Sequence, residues 1–179
     1  MEEKQETPDT RAFAGLLDQV AALHEGTGGT ATAGHYDLGP DLWLSADPAG
    51  QAVMGHVPCE GGVRLSLEAG DSGAWVCLGM RLPVEILRNG RYLGLLVEAR
   101  AESLLSFTPT LRYFPKGGGL QDVPVPAPVL LAGGAHEHLS YIPIDPERLE
   151  AAWGCELNLF FHNDVFTADF SRIEPLLIW

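Results

Sequence analysis

Basic residues are scarce in this chain. Eleven Lys and Arg stand against 24 Asp and Glu in 179 residues, a formal net charge of −13. A field of that sign repels a phosphate backbone, and the few cations are scattered, so nucleic acid is excluded as a partner. The acidity itself reads as a solubility device. Cysteine is nearly absent too: Cys59, Cys77 and Cys155 form an odd set without CxxC spacing. Three buried thiols in a reducing cytosol are the expectation, with a Cys59–Cys77 disulfide as the alternative. No stretch approaches the roughly 18 apolar residues of a membrane helix, so no membrane partner is expected. The first residues, Met1-Glu-Glu-Lys-Gln-Glu-Thr-Pro8, lack the apolar run of a secretory signal, which points to a cytoplasmic location. There is no internal repeat.

What the chain does have is material for strands and turns. Hydrophobic residues at 46% supply one respectable core, while 21 Gly and 13 Pro suit many turns without implying disorder. Strands are expected over 41–45, 53–57, 63–67, 75–82, 92–101, 106–113, 129–131, 140–144, 156–162 and 167–173. In Glu156-Leu-Asn-Leu-Phe-Phe-His162, alternation sends Leu157, Leu159 and Phe161 to one side and Glu156, Asn158, Phe160 and His162 to the other. Asn89-Gly90 is the strongest hairpin signal, joined by Gly61-Gly62, Gly70, Gly117 to Gly119 and Gly133-Gly134. Three prolines within 122–128 make that segment an edge or an extended loop. Many short strands with such punctuation predict an all-β sandwich of antiparallel jelly-roll type.

Two helices interrupt the pattern. Phe13, Leu16, Leu17, Val20 and Leu23 recur at helical spacing within 11–24, with Asp9 or Thr10 as cap and Gly26 at the stop. Asp145-Pro146-Glu147 opens a short second helix. Residues 1–9 read as a disordered tail and 26–34 as a flexible Gly/Thr linker. The expected division is therefore a tail, helix and linker over 1–34, followed by a sandwich domain over 35–179. The apolar stripe of the first helix packs on its own sandwich or docks a second copy or a partner protein.

Two short motifs suggest chemistry. Gly70-Asp71-Ser72-Gly73 copies the surroundings of a serine-protease nucleophile, but those enzymes carry the general-base His well over a hundred residues upstream. Only 71 residues precede Ser72 here, with His24 in a helix and His35 after a linker. A polar turn explains the same letters. His136-Glu137-His138 has the spacing at which two imidazoles reach one metal, and His162 would complete a cupin-like ligand set for a metal-dependent enzyme. The Glu that cupins place shortly afterwards is missing: Ser140, Tyr141, Ile142 and Pro143 follow instead. A polar loop beside Gly133-Gly134 is the plainer reading, and no catalytic signature stands.

A face is more informative than either motif. If the strands over 92–101, 106–113 and 156–162 are neighbours, their outer sides display Glu98, Arg100, Arg112, Phe114, Asn158, Phe160 and His162. Planar rings among Asn, Arg and carboxylates suit a sugar, whose CH groups pack on a ring while its hydroxyls bridge to polar side chains. An ordinary solvated sheet face is the competing reading.

The order of pieces then resembles a known family. Trp75-Val-Cys-Leu-Gly-Met-Arg-Leu-Pro83, Asn89-Gly-Arg-Tyr-Leu-Gly-Leu-Leu-Val-Glu-Ala-Arg-Ala101, Leu157-Asn-Leu-Phe-Phe-His162 and Phe170-Ser-Arg-Ile-Glu-Pro175 are similar to galactose-binding-like jelly rolls over about 40–179. The resemblance implies a non-catalytic β-sandwich, commonly a carbohydrate-binding module, often with a structural calcium ion. The expected function is a saccharide- or polysaccharide-binding module serving bacterial glycan assembly or modification. A cupin-like enzyme and a protein-interaction module docking through the first helix stand as alternatives.

Overall fold

The computed structural model describes residues 11–68, 71 and 73–179. The expected tail over 1–9, the cap at Asp9 or Thr10, and Gly70 and Ser72 of the protease-like motif lie outside the described residues. In chain order the elements are α1 (Ala14–Ala22), β1 (Gly29–Thr32), β2 (Gly34–Gly39), β3 (Leu42–Ala46), β4 (Val53–Cys59), β5 (Gly62–Glu68), β6 (Val76–Leu82) and α2 (Val84–Leu87). There follow β7 (Tyr92–Ala101), β8 (Leu105–Pro115), β9 (Gln121–Pro124), β10 (Val129–Leu131), β11 (Gly134–Pro143), α3 (Pro146–Ala151), β12 (Ala152–Phe161) and β13 (Phe166–Ile178).

The strands form two antiparallel sheets packed face to face as a jelly-roll sandwich. One runs β1-β4-β5-β13-β7-β11; the other runs β10-β8-β12-β6-β3-β2, with β9 also paired to β8. The core lies between them and follows the two-residue period of the sequence. Leu93, Leu95, Val97 and Ala99 of β7 face Phe107, Leu111 and Tyr113 of β8 and Leu157, Leu159 and Phe161 of β12, all buried. Tyr113 buries its ring completely and accepts a hydrogen bond from the Asp145 backbone N–H at 3.1 Å. Asp145 in turn caps α3, accepting from the backbone N–H groups of Glu147 and Arg148 at 3.0 and 3.1 Å.

Helix α1 belongs to this core. Phe13, Leu16, Val20 and Leu23 are buried in it, and each such side chain removed from water contributes about 1.5–3 kcal/mol as an upper estimate. Its apolar stripe is covered by the chain's own sandwich, so the expectation that it docks a partner through that stripe is corrected. No helix among the described residues is long and apolar enough to cross a membrane.

Three further expectations change. Residues 26–34 are not a linker: β1 pairs with β4 from Gly29↔His56 to Thr32↔Val53. Main-chain pairing to an open sheet edge is indifferent to a Gly-rich composition, and the two threonines favour strand. Asn89-Gly90 makes no hairpin, because β6 and β7 lie in different sheets and α2 carries the chain across between them. Gly90 is there for close approach: a Cβ on it would collide with Leu177 of β13. The strand expected over 140–144 begins at Gly134, so His136 to His138 sit in edge strand β11 rather than in a loop.

Candidate functional site

The outer side of the β10-to-β2 sheet is read directly from its register. Asp37, Trp43, Gly79, Asn158 and Thr110 lie in one row across β2, β3, β6, β12 and β8. His35, Ser45, Cys77, Phe160 and Thr108 form the next row, and Arg81, Glu156, Arg112 and Asp122 another. These rows floor a cleft of about 570 Å³, walled by Trp75 on one rim and by Leu120, from the loop between β8 and β9, on another.

Gly79 shapes the floor. A Cβ there would run into the indole of Trp43, so only glycine lets that ring lie flat across the sheet. The His35 ring packs beside Trp43 at 5.6 Å between centroids, and His35 Nε2 meets Asp37 Oδ1 at 2.9 Å. Trp75, 37% exposed, offers an open aromatic surface at the rim.

The polar groups fall into two kinds. Arg112 is fully engaged: Nε and Nη2 donate to the two Asp122 carboxylate oxygens at 2.7 and 2.8 Å, and its guanidinium lies over the Phe160 ring, 5.5 Å from the centroid. Asn158 is not. It is 2% exposed, its Oδ1 accepts from the Cys77 thiol at 3.7 Å, and its Nδ2 completes no hydrogen bond, coming only near enough to the Glu156 carboxylate to favour its charged form. A buried donor left unmade costs about 1–3 kcal/mol, so its position on the cleft floor calls for an acceptor. Beside it, burial pushes the Glu156 carboxyl up, while Asn158, Arg112, Arg81 and His35 pull it the other way. Burial also pushes the Cys77 thiol up to about 12, which keeps it protonated and unreactive. Cys59 belongs to the opposite sheet and all three cysteines are free, so the Cys59–Cys77 bridge is excluded.

The structure divides the seven residues expected on one face. Arg112, Asn158 and Phe160 line the cleft. Phe114 lies on the same side of β8 but in an adjoining recess, and His162 follows β12, bonded to Thr108 Oγ1 at 2.7 Å. Glu98 and Arg100 do not join them. Strand β7 belongs to the other sheet, where Glu98 bonds Arg172 and Arg100 stands opposite Asp169. The condition that all three strands be neighbours holds for β8 and β12 alone. Phe160 is also a different device from the one expected, since a guanidinium already lies over its ring.

The metal alternative is corrected on the same grounds. His136 and His138 stand on β11 at one edge of the first sheet, and His162 at the end of β12 in the second. His136 Nε2 bonds the carbonyls of Ala132 and Gly133 at 3.0 and 3.1 Å. Among the described residues no three His, Cys, Asp or Glu side chains are grouped to hold a metal ion.

Sequence reasoning missed Trp43, Trp75, Asp37, Asp122 and Arg81. Trp43 could have been found, because Trp43 and Ser45 alternate with Leu42 and Leu44 in a short strand. Asp122 could not, since its place opposite Arg112 depends on how the Gly117 to Gly119 loop folds back.

No protein-family model matches the chain, and no curated protein matches it. Solved structures do share its fold. The CBM22-1 xylan-binding domain from Paenibacillus barcinonensis Xyn10C is similar with a TM-score of 0.53 at 10% identity, over 85% of this chain and 96% of that one. A CBM4 domain is similar with a TM-score of 0.56 at 9% identity, over 80% and 92%. The C-terminal family 22 carbohydrate-binding module of Clostridium thermocellum Xyn10B, whose cleft takes part in ligand binding, gives 0.50 at 13% identity, over 75% and 85%. The chain has the β-sandwich fold of carbohydrate-binding modules.

Proposed function

We propose that the chain is a non-catalytic carbohydrate-binding module whose ligand lies in the cleft on the outer side of the β10-to-β2 sheet. The observation that carries this is the pairing of an open indole, Trp75, with a buried and unpartnered amide, Asn158, in one recessed surface. A pyranose ring satisfies both at once: its CH face packs on the indole and its hydroxyls accept from Nδ2 and bridge to neighbouring polar groups. The xylan-binding modules that share the fold support the same class of ligand.

Binding is favoured over hydrolysis by how the carboxylates are used. Glycoside cleavage needs two carboxyl groups free to act across one bond. In the cleft Asp122 is held bidentate by Arg112 and Asp37 is paired with His35, which leaves Glu156 alone. Calorimetric titration with xylo-, cello- and manno-oligosaccharides tests the reading. Binding by the parent that is markedly weakened in Trp75→Ala supports it, and release of reducing ends from the same oligosaccharides overturns the non-catalytic part.

A further inference from the structure

The cleft does not end at Arg81 and Glu156. Both residues also line a second recess of about 500 Å³, which lies beyond them between the sheet and helix α1. Its open surface is aromatic. Trp153, at the start of β12, packs against Phe114 with 5.2 Å between ring centroids, yet keeps 68% of its surface in water. It is the most exposed large hydrophobic residue described. An indole braced from behind and open in front is a rigid platform rather than a stray surface residue.

The recess is also built in advance. Gln19 of α1 accepts a hydrogen bond from the Asp41 backbone N–H at 2.8 Å and donates to Asp41 Oδ2 at 3.3 Å. Asp41 is bonded in turn, at 3.4 Å, by Arg81, one of the two residues that the hollows share. Helix, turn and junction are thereby fixed to one another, and a ligand has little ordering left to do.

Resting on the carbohydrate-binding reading, we propose that the ligand is an extended glycan chain, and that the Phe114–Trp153 pair is a second stacking site for it. Gly154, next to Trp153, is the partner of Phe114 across the β12–β8 pair. Val76, next to Trp75, is the partner of Phe161, seven residues after Gly154, so at roughly 3.4 Å per residue the two indoles stand about 24 Å apart along the strand, the length of several sugar rings in a row. Glu156, Arg81 and Asn158 occupy the interval with polar groups. A single terminal sugar would use the Trp75 cleft and leave Trp153 untouched. A chain reaches both.

The test compares xylohexaose with xylobiose on the full chain, as parent, Trp153→Ala, Trp153→Phe and Trp75→Ala, each checked by thermal melting. The expected result is that Trp153→Ala weakens xylohexaose about tenfold and leaves xylobiose unchanged, while Trp153→Phe restores most of the loss. Trp75→Ala weakens both ligands. Unchanged xylohexaose affinity in Trp153→Ala beside a loss in Trp75→Ala overturns the second site and leaves the cleft standing. Failure of the parent to bind xylo-, cello- or manno-hexaose overturns both. Tighter binding on deletion of residues 1–10, or a change of mass in solution in Trp153→Ala, would show that the chain's own N-terminal segment or a second copy covers Trp153, and would likewise overturn the proposal.

Discussion

On the outer side of the β1-to-β11 sheet, Arg64 grips Asp169 with two hydrogen bonds of 2.6 and 2.9 Å, and Arg172 bridges Glu174 and Glu98. On the outer side of the other sheet, a buried amide has no partner and an indole faces water. Both surfaces obey the same alternation, and both are hollowed. The first hollow is the larger, about 760 Å³ against about 570 Å³. Size therefore does not select the site. On the first face Arg64 holds Asp169 below the usual carboxylate range, and a ligand at either that pair or the Arg172 cluster would have to replace bonds already made. The second face has a bond still to make and an aromatic surface still to cover.

The most direct way to break this comparison is to remove the indole. Trp75→Ala is expected to cost about 2 kcal/mol of binding, near thirtyfold in Kd, the size of loss that removing an aromatic hot-spot residue gives. Trp75 is partly exposed before β6, so the melting temperature should barely move. Calorimetry with xylohexaose on both proteins decides. Parent-like affinity would leave the cleft without its principal contact.

Arg112 and His162 sharpen the comparison within one sheet. Arg112→Ala removes the guanidinium over Phe160 and strands Asp122, and should weaken binding several-fold, on the order of 1 kcal/mol. His162→Ala should change nothing, because that ring lies outside the cleft lining and is tied to Thr108. Equal losses in the two variants would move the site toward the far end of β12.

How much of this was legible beforehand follows from what each feature depends on. The inward residues of β7, β8 and β12 were readable because alternation is local. The sharing of a sheet by β8 and β12, and the absence of β7 from it, is a matter of topology. Periodicity is identical for strands that are neighbours and for strands on opposite sides of a core, which is why Glu98 and Arg100 were grouped with Arg112. Asn89-Gly90 misled for a related reason: glycine relieves a close contact with Leu177 there, and a contact 87 residues away leaves no local mark. Trp153 was overlooked because it stands at a β-bulge between Ala152 and Gly154, where alternation slips.

Glu156 supplies a smaller effect with a definite sign. Its carboxyl is held above the usual 4.5, chiefly by burial, so the folded chain holds this proton more tightly than the unfolded one. Its contribution to stability is thus greatest below that value and is lost as pH rises through the folded pKa. Glu156→Gln should be more stable than the parent near neutral pH, with the difference closing as pH falls below about 4.5. Urea midpoints across that range measure it. A difference that widens on acidification would mean that the pairing with Arg112 and Arg81 outweighs burial.

The smallest effect is expected on the other sheet, and it tests the comparison most stringently. Arg64→Ala together with Asp169→Ala removes both partners of the bidentate pair, so no charge is stranded. The pair is solvent-exposed, and exposed ion pairs contribute little and are screened by salt. Oligosaccharide affinity should equal that of the parent, and any shift in melting temperature should shrink as sodium chloride is raised. The double variant does more than serve as a control, because it also opens the larger hollow by taking out a charged pair on its lining. If that hollow were the binding surface, the change would alter affinity markedly, in either direction, while Trp75→Ala did nothing. Reversed in that way, the two results would assign the ligand to the self-paired face and refute the inference that an unmade hydrogen bond marks the site.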